Sequence, residues 1–226
     1  IYPFNLNHKK TALGLLKNQL AIKVNYYQCI DINYLISFKY NPKIKLDNKG
    51  TTRLSKKIKQ LLIKDCIIYG RRINLRPMRL SDTDKIVKWR NESSIMKWMK
   101  NQNLITKNSH IKWFKNRNKR LDFIIEEKKN KKSIGTVNLI FKSKNRAELG
   151  KLIGEKNYLG KGFASESFRL LIDFSFKELN LEKLIVYTKV NNFKNINLNS
   201  RLGFKVDESF KNISNDTIQM SISKYE

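Results

Sequence analysis

Ala147–Ala164 reads AELGKLIGEKNYLGKGFA, and the fold is decided here. An apolar, strand-like run ends at Gly154, a Gly160-Lys161-Gly162 turn follows, and an amphipathic helix opens directly after it. That order sets free backbone N–H groups and the positive end of a helix dipole where a phosphate can dock. The two glycines let the main chain approach a ligand with no Cβ in the way. A glycine turn alone is a weak signal; the segment down to Leu202-Gly203-Phe204 gives it weight.

In that segment Phe168, Leu171, Ile172, Phe176 and Leu179 fall on one stripe at helical spacing, with Glu166, Arg169, Asp173 and Lys177 around them. Glu166 lies in the first turn, where a carboxylate suits the dipole, and Asn180 stands at the expected stop. LEKLIVYTKV predicts a buried strand over about 183–190. NNFKNINLNSRLGF then predicts a second helix, closed by Gly203 as its C-terminal cap. Strand, turn, helix, strand, helix is the order of an α/β unit.

These residues resemble the core of the GCN5-related N-acetyltransferases (GNAT), which bind acetyl-coenzyme A. The family's motif is Gln/Arg-x-x-Gly-x-Gly/Ala, whose amides hold the coenzyme's pyrophosphate. Leu159, Gly160, Lys161, Gly162, Phe163 and Ala164 fit it except at the first position, where Leu159 replaces Gln/Arg. Because main-chain amides do the binding, that loss is expected to be tolerated. The resemblance adds Ser165 to the loop, matches Lys151, Leu152, Ile153 and Gly154 to the splayed strand beside the pantetheine arm, and matches Asn192 to the asparagine opening the next helix. It covers roughly residues 70–226 and implies a mixed twisted sheet with helices on both faces, acetyl-coenzyme A as cosubstrate and no metal.

Upstream, INLRPMRLSDTDKIVKWRNESSIMKWM resembles the start of such domains, with a first strand and then a helix after Ser81. Ser81 and Asp84 have the spacing of a capping box. Trp89-Arg90-Asn91 followed by ITKNSHIKWF resembles the branch that acetylates nucleotide-linked amino sugars in pseudaminic acid biosynthesis. Ribosomal-protein N-terminal acetyltransferases share much of this pattern. Trp89, Arg90, Asn91 and His110 are the candidate acceptor contacts: Arg for phosphate, Trp for stacking. Trp89 reads equally as core at helical spacing, and Trp98, Trp113 and Phe114 read as core.

Residues 1–68 differ. KTALGLLKNQLAIKVNYYQ is a helical pattern, and IKLDNKGTTRLSKKIKQLLI reads as a turn and a basic amphipathic helix. Asn18-Gln19 and LDNKGTTRLSKKI resemble the end of the UDP-sugar hydrolase that precedes acetylation in the same pathway. With Ile1 in place of a start methionine, the chain is expected to be the C-terminal piece of a hydrolase–acetyltransferase fusion: a small α/β remnant over 1–68, an acetyltransferase over 69–226.

Composition sets the outer bounds. Apolar residues make up 40% of the 226, enough for a substantial core. Two cysteines, Cys29 and Cys66, form neither a disulfide framework nor a metal spacing, which points to a reducing cytoplasm. No run approaches the roughly 20 apolar residues of a membrane span. The formal charge of +28 admits nucleic acid or an anionic membrane as partner. Spread lysines, abundant Asn and Ile, and more Lys than Arg argue instead for a compositional bias of the genome. Coenzyme A and a UDP-amino sugar are polyanions, and a basic surface would steer both. The KKNKK run at Lys128–Lys132 reads as a solvated hairpin turn.

Acetyl transfer needs a neutral amine, a polarised carbonyl and a protonated leaving thiolate. The resemblance implies direct transfer without an acyl-enzyme intermediate, and a homodimer is among the admissible assembled forms. The Ile153 N–H would hold the oxyanion. Glu148 is the candidate base, or else a solvated strand-end charge, and His110 is a base, an acceptor contact or a structural histidine. Many relatives carry a proton-donating tyrosine where this chain has Asn199. Tyr158 and Tyr187 are available, though each reads as a packing residue.

Overall fold

The computed structural model describes residues 66–207 and 216–225. The chain divides between Ile63 and Lys64 into two units, and nearly all the readings made on the first 68 residues lie outside the described residues.

The described residues form an eight-stranded sheet. Its first strands are β1 (Ile68–Tyr69) and β2 (Ile73–Pro77), followed by helices α1 (Thr83–Asn91), α2 (Ser93–Met96) and α3 (Lys107–Asn116). Next come β3 (Arg120–Glu127), β4 (Ser133–Phe141), β5 (Arg146–Ile153), α4 (Phe163–Lys177), β6 (Lys183–Lys189) and α5 (Phe193–Arg201). The short β7 (Lys205–Val206) and β8 (Thr217–Ser223) complete the order β1-β2-β3-β4-β5-β6-β8-β7. All neighbouring strands are antiparallel except β5 and β6, which run parallel. The mixed sheet with helices on both faces matches the expected fold class.

Side-chain alternation assigns the two faces. On one, Met78, Ile86, Trp89, Ile124 and Leu152 form a buried cluster beneath α1, with Ile95, Met99 and Phe114 against it. On the other, Phe123 meets Phe174 of α4 edge-on at 6.3 Å, and Phe168 lies 6.4 Å from Phe204. Each fully buried large apolar side chain contributes about 1.5–3 kcal/mol. The sheet centre is therefore closed from both sides.

Several local expectations change. The α4 stripe holds Phe168, Leu171 and Ile172 as foreseen, but Phe174 is core while Phe176 is only half-buried. The helix ends at Lys177, before the stripe's last member Leu179, so the stripe rotates by one residue. Asn180 does sit in the left-handed region, with φ 51°. The Ser81–Asp84 capping box does not form; Asp82 accepts from the Arg79 N–H at 2.8 Å and from both Arg76 Nη groups. Its side chain is buried against that guanidinium, which explains why Asp82 rather than Ser81 organises the turn. Trp98 and Trp113, expected in the core, are each 36% exposed at the rim of the α1 face. The KKNKK run does form the β3–β4 turn.

Candidate active site

β5 and β6 pair at only three positions, Arg146–Glu148 against Lys183–Ile185, and then part. The ladder between β4 and β5 continues to Gly135↔Ile153, and the Gly154 N–H reaches the Ile134 carbonyl at 2.9 Å. Alternation along this ladder turns the N–H and C=O groups of even-numbered residues toward β4. Those of Lys151 and Ile153 therefore face the gap that β6 has left. The result is a wedge-shaped cleft lined on one side by unpaired backbone. Ile153 carries its expected N–H into it.

At the far end of the cleft stands the turn of the opening motif. Gly160 and Gly162 have φ of 73° and 80°, a region costly for other residues, and a Cβ on Gly160 would meet open space. Arg72 fixes the turn from behind. Its Nη1 donates to the Lys161 carbonyl at 3.0 Å, and its guanidinium stacks 4.4 Å above the Phe163 ring. With that carbonyl held, the amides from Gly160 to Ser165 have no protein acceptor among the described residues; the first helical bond starts at the Glu166 N–H. They are the orphan donors of a helix start, beside the positive end of a 15-residue helix.

Glu166 would repel an anion here were it free. Arg72 occupies it instead, through its backbone N–H and its Nε, both at 2.7 Å. Burial pushes this carboxyl's pKa up, but the hydrogen bonds from Arg72 outweigh that and hold it below the usual range. Beside the turn lies an open cavity of about 330 Å³ lined by Lys132, Asn157, Tyr158, Lys161 and Phe163. The Lys161 ammonium and the run of free amides suit a nucleoside diphosphate, with the Lys132 ammonium nearby but ion-paired to Glu155 at 2.8 Å. These residues fit the diphosphate part of acetyl-coenzyme A, and the cleft past Ile153 and Lys151 fits a thin extended arm.

The other expected site residues separate into those near the cleft and those occupied elsewhere. Leu152 belongs to the cluster under α1, so only its neighbours in β5 turn their backbone to the cleft. A Cβ on Gly154 would lie 2.1 Å from the Trp89 ring, so this glycine admits an indole as well as ending the strand. Trp89 is 1% exposed and its Nε1 donates to Glu155 at 3.0 Å; it is core and cannot stack on a sugar. Asn91 bonds the Ile105 N–H and carbonyl at 2.9 and 2.8 Å, stapling the loop before α3. Neither of these two is presented to a ligand. Asn192 caps α5, its oxygen accepting from the Asn195 N–H at 3.2 Å, so that amide serves the helix.

Arg90 and His110 remain. Arg90 is half-buried, its Nε has no partner, and desolvation lowers its pKa. His110 is 6% exposed, with Nδ1 3.2 Å from the Thr83 hydroxyl. That hydroxyl donates to the Leu80 carbonyl, so Nδ1 carries the proton and Nε2 keeps a free lone pair without a partner. Burial pushes the His110 pKa down, Asp122 opposes, and the Arg117 and Arg90 cations push it further down. Glu148, on the α1 face at the root of the cleft, is ion-paired with Lys142. Asn199, fully buried, accepts at 2.6 Å from the Nζ of Lys151, a residue that the resemblance placed on the splayed strand without a role of its own. A lone lysine in an apolar strand was the available signal.

A model of the acetyltransferase (GNAT) domain matches residues 72–205, more than half of the 226. The chain is 30% identical over 150 residues to an uncharacterized N-acetyltransferase, p20, of Bacillus licheniformis, covering 61% of this chain and 82% of that protein. Among solved structures, a domain from Methanocaldococcus jannaschii aligns at 25% identity and TM-score 0.62, over 69% of this chain and 99% of the other. A spermidine N-acetyltransferase from Vibrio cholerae, in complex with CoA and spermine, aligns at 27% identity and TM-score 0.59, over 68% and 96%. Sheet, cleft, amide turn and sequence agree: this chain belongs to the GNAT family of N-acetyltransferases, whose cosubstrate is acetyl-coenzyme A.

Proposed function

We propose that this acetyltransferase acts on the amino group of a nucleotide-linked sugar, a UDP-4-amino-dideoxy sugar of the pseudaminic acid type. The observation that carries this reading is charge: a chain of formal net charge +28 draws polyanions toward it and repels polyamines. Arg90, half-buried with an unpartnered Nε, adds a donor suited to a diphosphate on the α1 face. The acetyl group arrives as a thioester. The Ile153 N–H faces the negative charge that builds on its carbonyl oxygen. Glu148, at the root of the cleft, takes the proton released by the acceptor amine, directly or through water. In this reading residues 1–68 resemble the tail of the nucleotide-sugar hydrolase that precedes acetylation in the same pathway.

The V. cholerae relative supports a second reading, in which the acceptor is a polyamine. Acetylation of a protein N-terminus is the third. Free-thiol release from acetyl-coenzyme A, measured with a UDP-4-amino sugar, spermidine and an N-terminal peptide, separates them. The sugar nucleotide is expected to exceed both others in kcat/KM by about tenfold or more, the effect of one oriented ion pair. Preference for spermidine at low and at physiological salt would overturn the sugar reading.

A further inference from the structure

Lys151 occupies an improbable place for an ammonium. It sits in the middle of β5, three residues past the last pairing with β6, on the α4 face of the sheet. Its Nζ lies 3.8 Å above the Phe168 ring of α4 and donates to the Asn199 Oδ1 of α5 at 2.6 Å. The side chain thus spans from one wall of the cleft to the helix that follows the other wall. Asn199 is itself fixed, with its Nδ2 directed to the Met220 sulfur at 3.9 Å. Nζ makes no ion pair among the described residues, and the residue keeps some accessible surface. A structural lysine at such a depth would be expected to pair with a carboxylate.

The place has a chemical meaning. The free amides at Gly160–Ser165 lie beyond the C-terminal end of β5. A thioester arm anchored there and running back along the cleft passes Ile153 first and Lys151 next. We propose that Lys151 is a catalytic residue of acetyl transfer, the acid that protonates the departing sulfur. The acceptor nitrogen forms its bond to the acetyl carbon and loses one proton to Glu148 or water. The carbon–sulfur bond breaks with its electron pair going to sulfur. Nζ gives sulfur a proton, leaving a neutral amine that regains one from solvent.

Burial lowers the Lys151 pKa from 10.5 to about 7, with no charged group on α4, α5, β6 or β8 contributing. The acid is then charged in part of the molecules at neutral pH and parts readily with its proton. Asn199 holds the ammonium in place without neutralising it. The proposal rests on the acetyltransferase reading and not on the identity of the acceptor.

Four measurements test it, two without turnover. In the free protein, carbon-13 methylation of the lysines should show one signal titrating near pH 7, lost in Lys151→Met. When coenzyme A binds, that signal should change its chemical shift, because Nζ then lies against the thiol sulfur. With spermidine or a UDP-4-amino sugar as acceptor, Lys151→Met should lower kcat by about 100-fold with little change in the KM for acetyl-coenzyme A. Asn199→Asp places a carboxylate on Nζ and should move the alkaline fall of wild-type kcat up by about one pH unit. A Lys151 signal unmoved by coenzyme A, or an unchanged kcat in Lys151→Met, would overturn the proposal. Where that variant does not fold, an unmoved alkaline limb in Asn199→Asp overturns it. Acetylation of neither amine would sink the acceptor reading alone, since the response of the Lys151 signal to coenzyme A still decides on Lys151.

Discussion

The two walls of the site are made of different materials. The coenzyme wall, from β5 through the glycine turn into α4, presents main-chain donors, and side chains such as Arg72 and Glu166 work behind it. The acceptor side, from α1 to α3, has no such backbone display. There Trp89, Asn91 and Thr83 are occupied in holding helices and loops together, and among the described residues Arg90, His110 and Arg117 at the end of α3 keep buried groups without a hydrogen-bond partner. Backbone recognition depends on φ angles and register, so it tolerates Leu159 at the first motif position. Side-chain recognition depends on which way each group happens to turn.

Substitutions can break or sharpen this contrast. Gly162→Glu should have the largest effect. It forces a residue with φ of 80° to carry a Cβ 3.3 Å from the Arg72 guanidinium, and it adds negative charge at the anion cradle. Acetyl-coenzyme A affinity by calorimetry should fall about 100-fold, from roughly 3 kcal/mol of strain and repulsion. Retained affinity would mean that the turn does not hold the diphosphate. Gly154→Ala should act on stability instead, losing about 3 kcal/mol as its methyl overlaps the Trp89 ring. Denaturant midpoints would show this, and an unchanged midpoint would mean that the indole moves aside easily.

Arg72→Ala removes the guanidinium from Glu166 and leaves that carboxylate in the first turn of α4 with backbone N–H partners only. We expect about tenfold weaker acetyl-coenzyme A binding, partly restored by adding Glu166→Gln. No rescue would show that Arg72 acts by contact rather than by neutralisation. On the acceptor side, Trp89→Phe removes one buried hydrogen bond and should cost about 1 kcal/mol of stability without changing acceptor KM. A large KM effect would return this residue to the substrate.

The smallest expected effect concerns pH. The folded-state pKa of His110 lies below its ordinary value, so below about pH 6.5 the unfolded chain binds the extra proton. Stability should therefore decline as pH falls from 7 toward 5. His110→Asn, which keeps a donor toward Thr83, should show a shallower decline in melting temperature over the same range. Parallel declines would place the proton elsewhere.

What could be read from the chain follows the same division. The glycine turn, the helix after it, the strand at Lys183–Lys189 and the helix stop at Gly203 were legible, because spacing and φ preference are local properties. The splay of β5 from β6 followed only through family resemblance; nothing local in Lys151-Leu152-Ile153-Gly154 says that a partner strand departs. Trp89, Arg90 and Asn91 were legible as a group but not in their roles. Whether an indole points at Gly154 or at a ligand depends on tertiary packing. Arg72 went unnoticed because its partner Glu166 is 94 positions away. Lys151 was placed on the splayed strand but given no role, because a lysine inside a strand ordinarily reaches water.

The three-pair seam between β5 and β6 has a consequence for the sheet as a whole. The sheet behaves as two leaves hinged on few hydrogen bonds, and the coenzyme arm would lie across the opening like a clasp. Amide exchange at Lys183–Ile185 should outpace that of β3 and β4 in the free protein, then slow when coenzyme A bridges the leaves. Cofactor occupancy would then govern the cohesion of the domain as well as its chemistry.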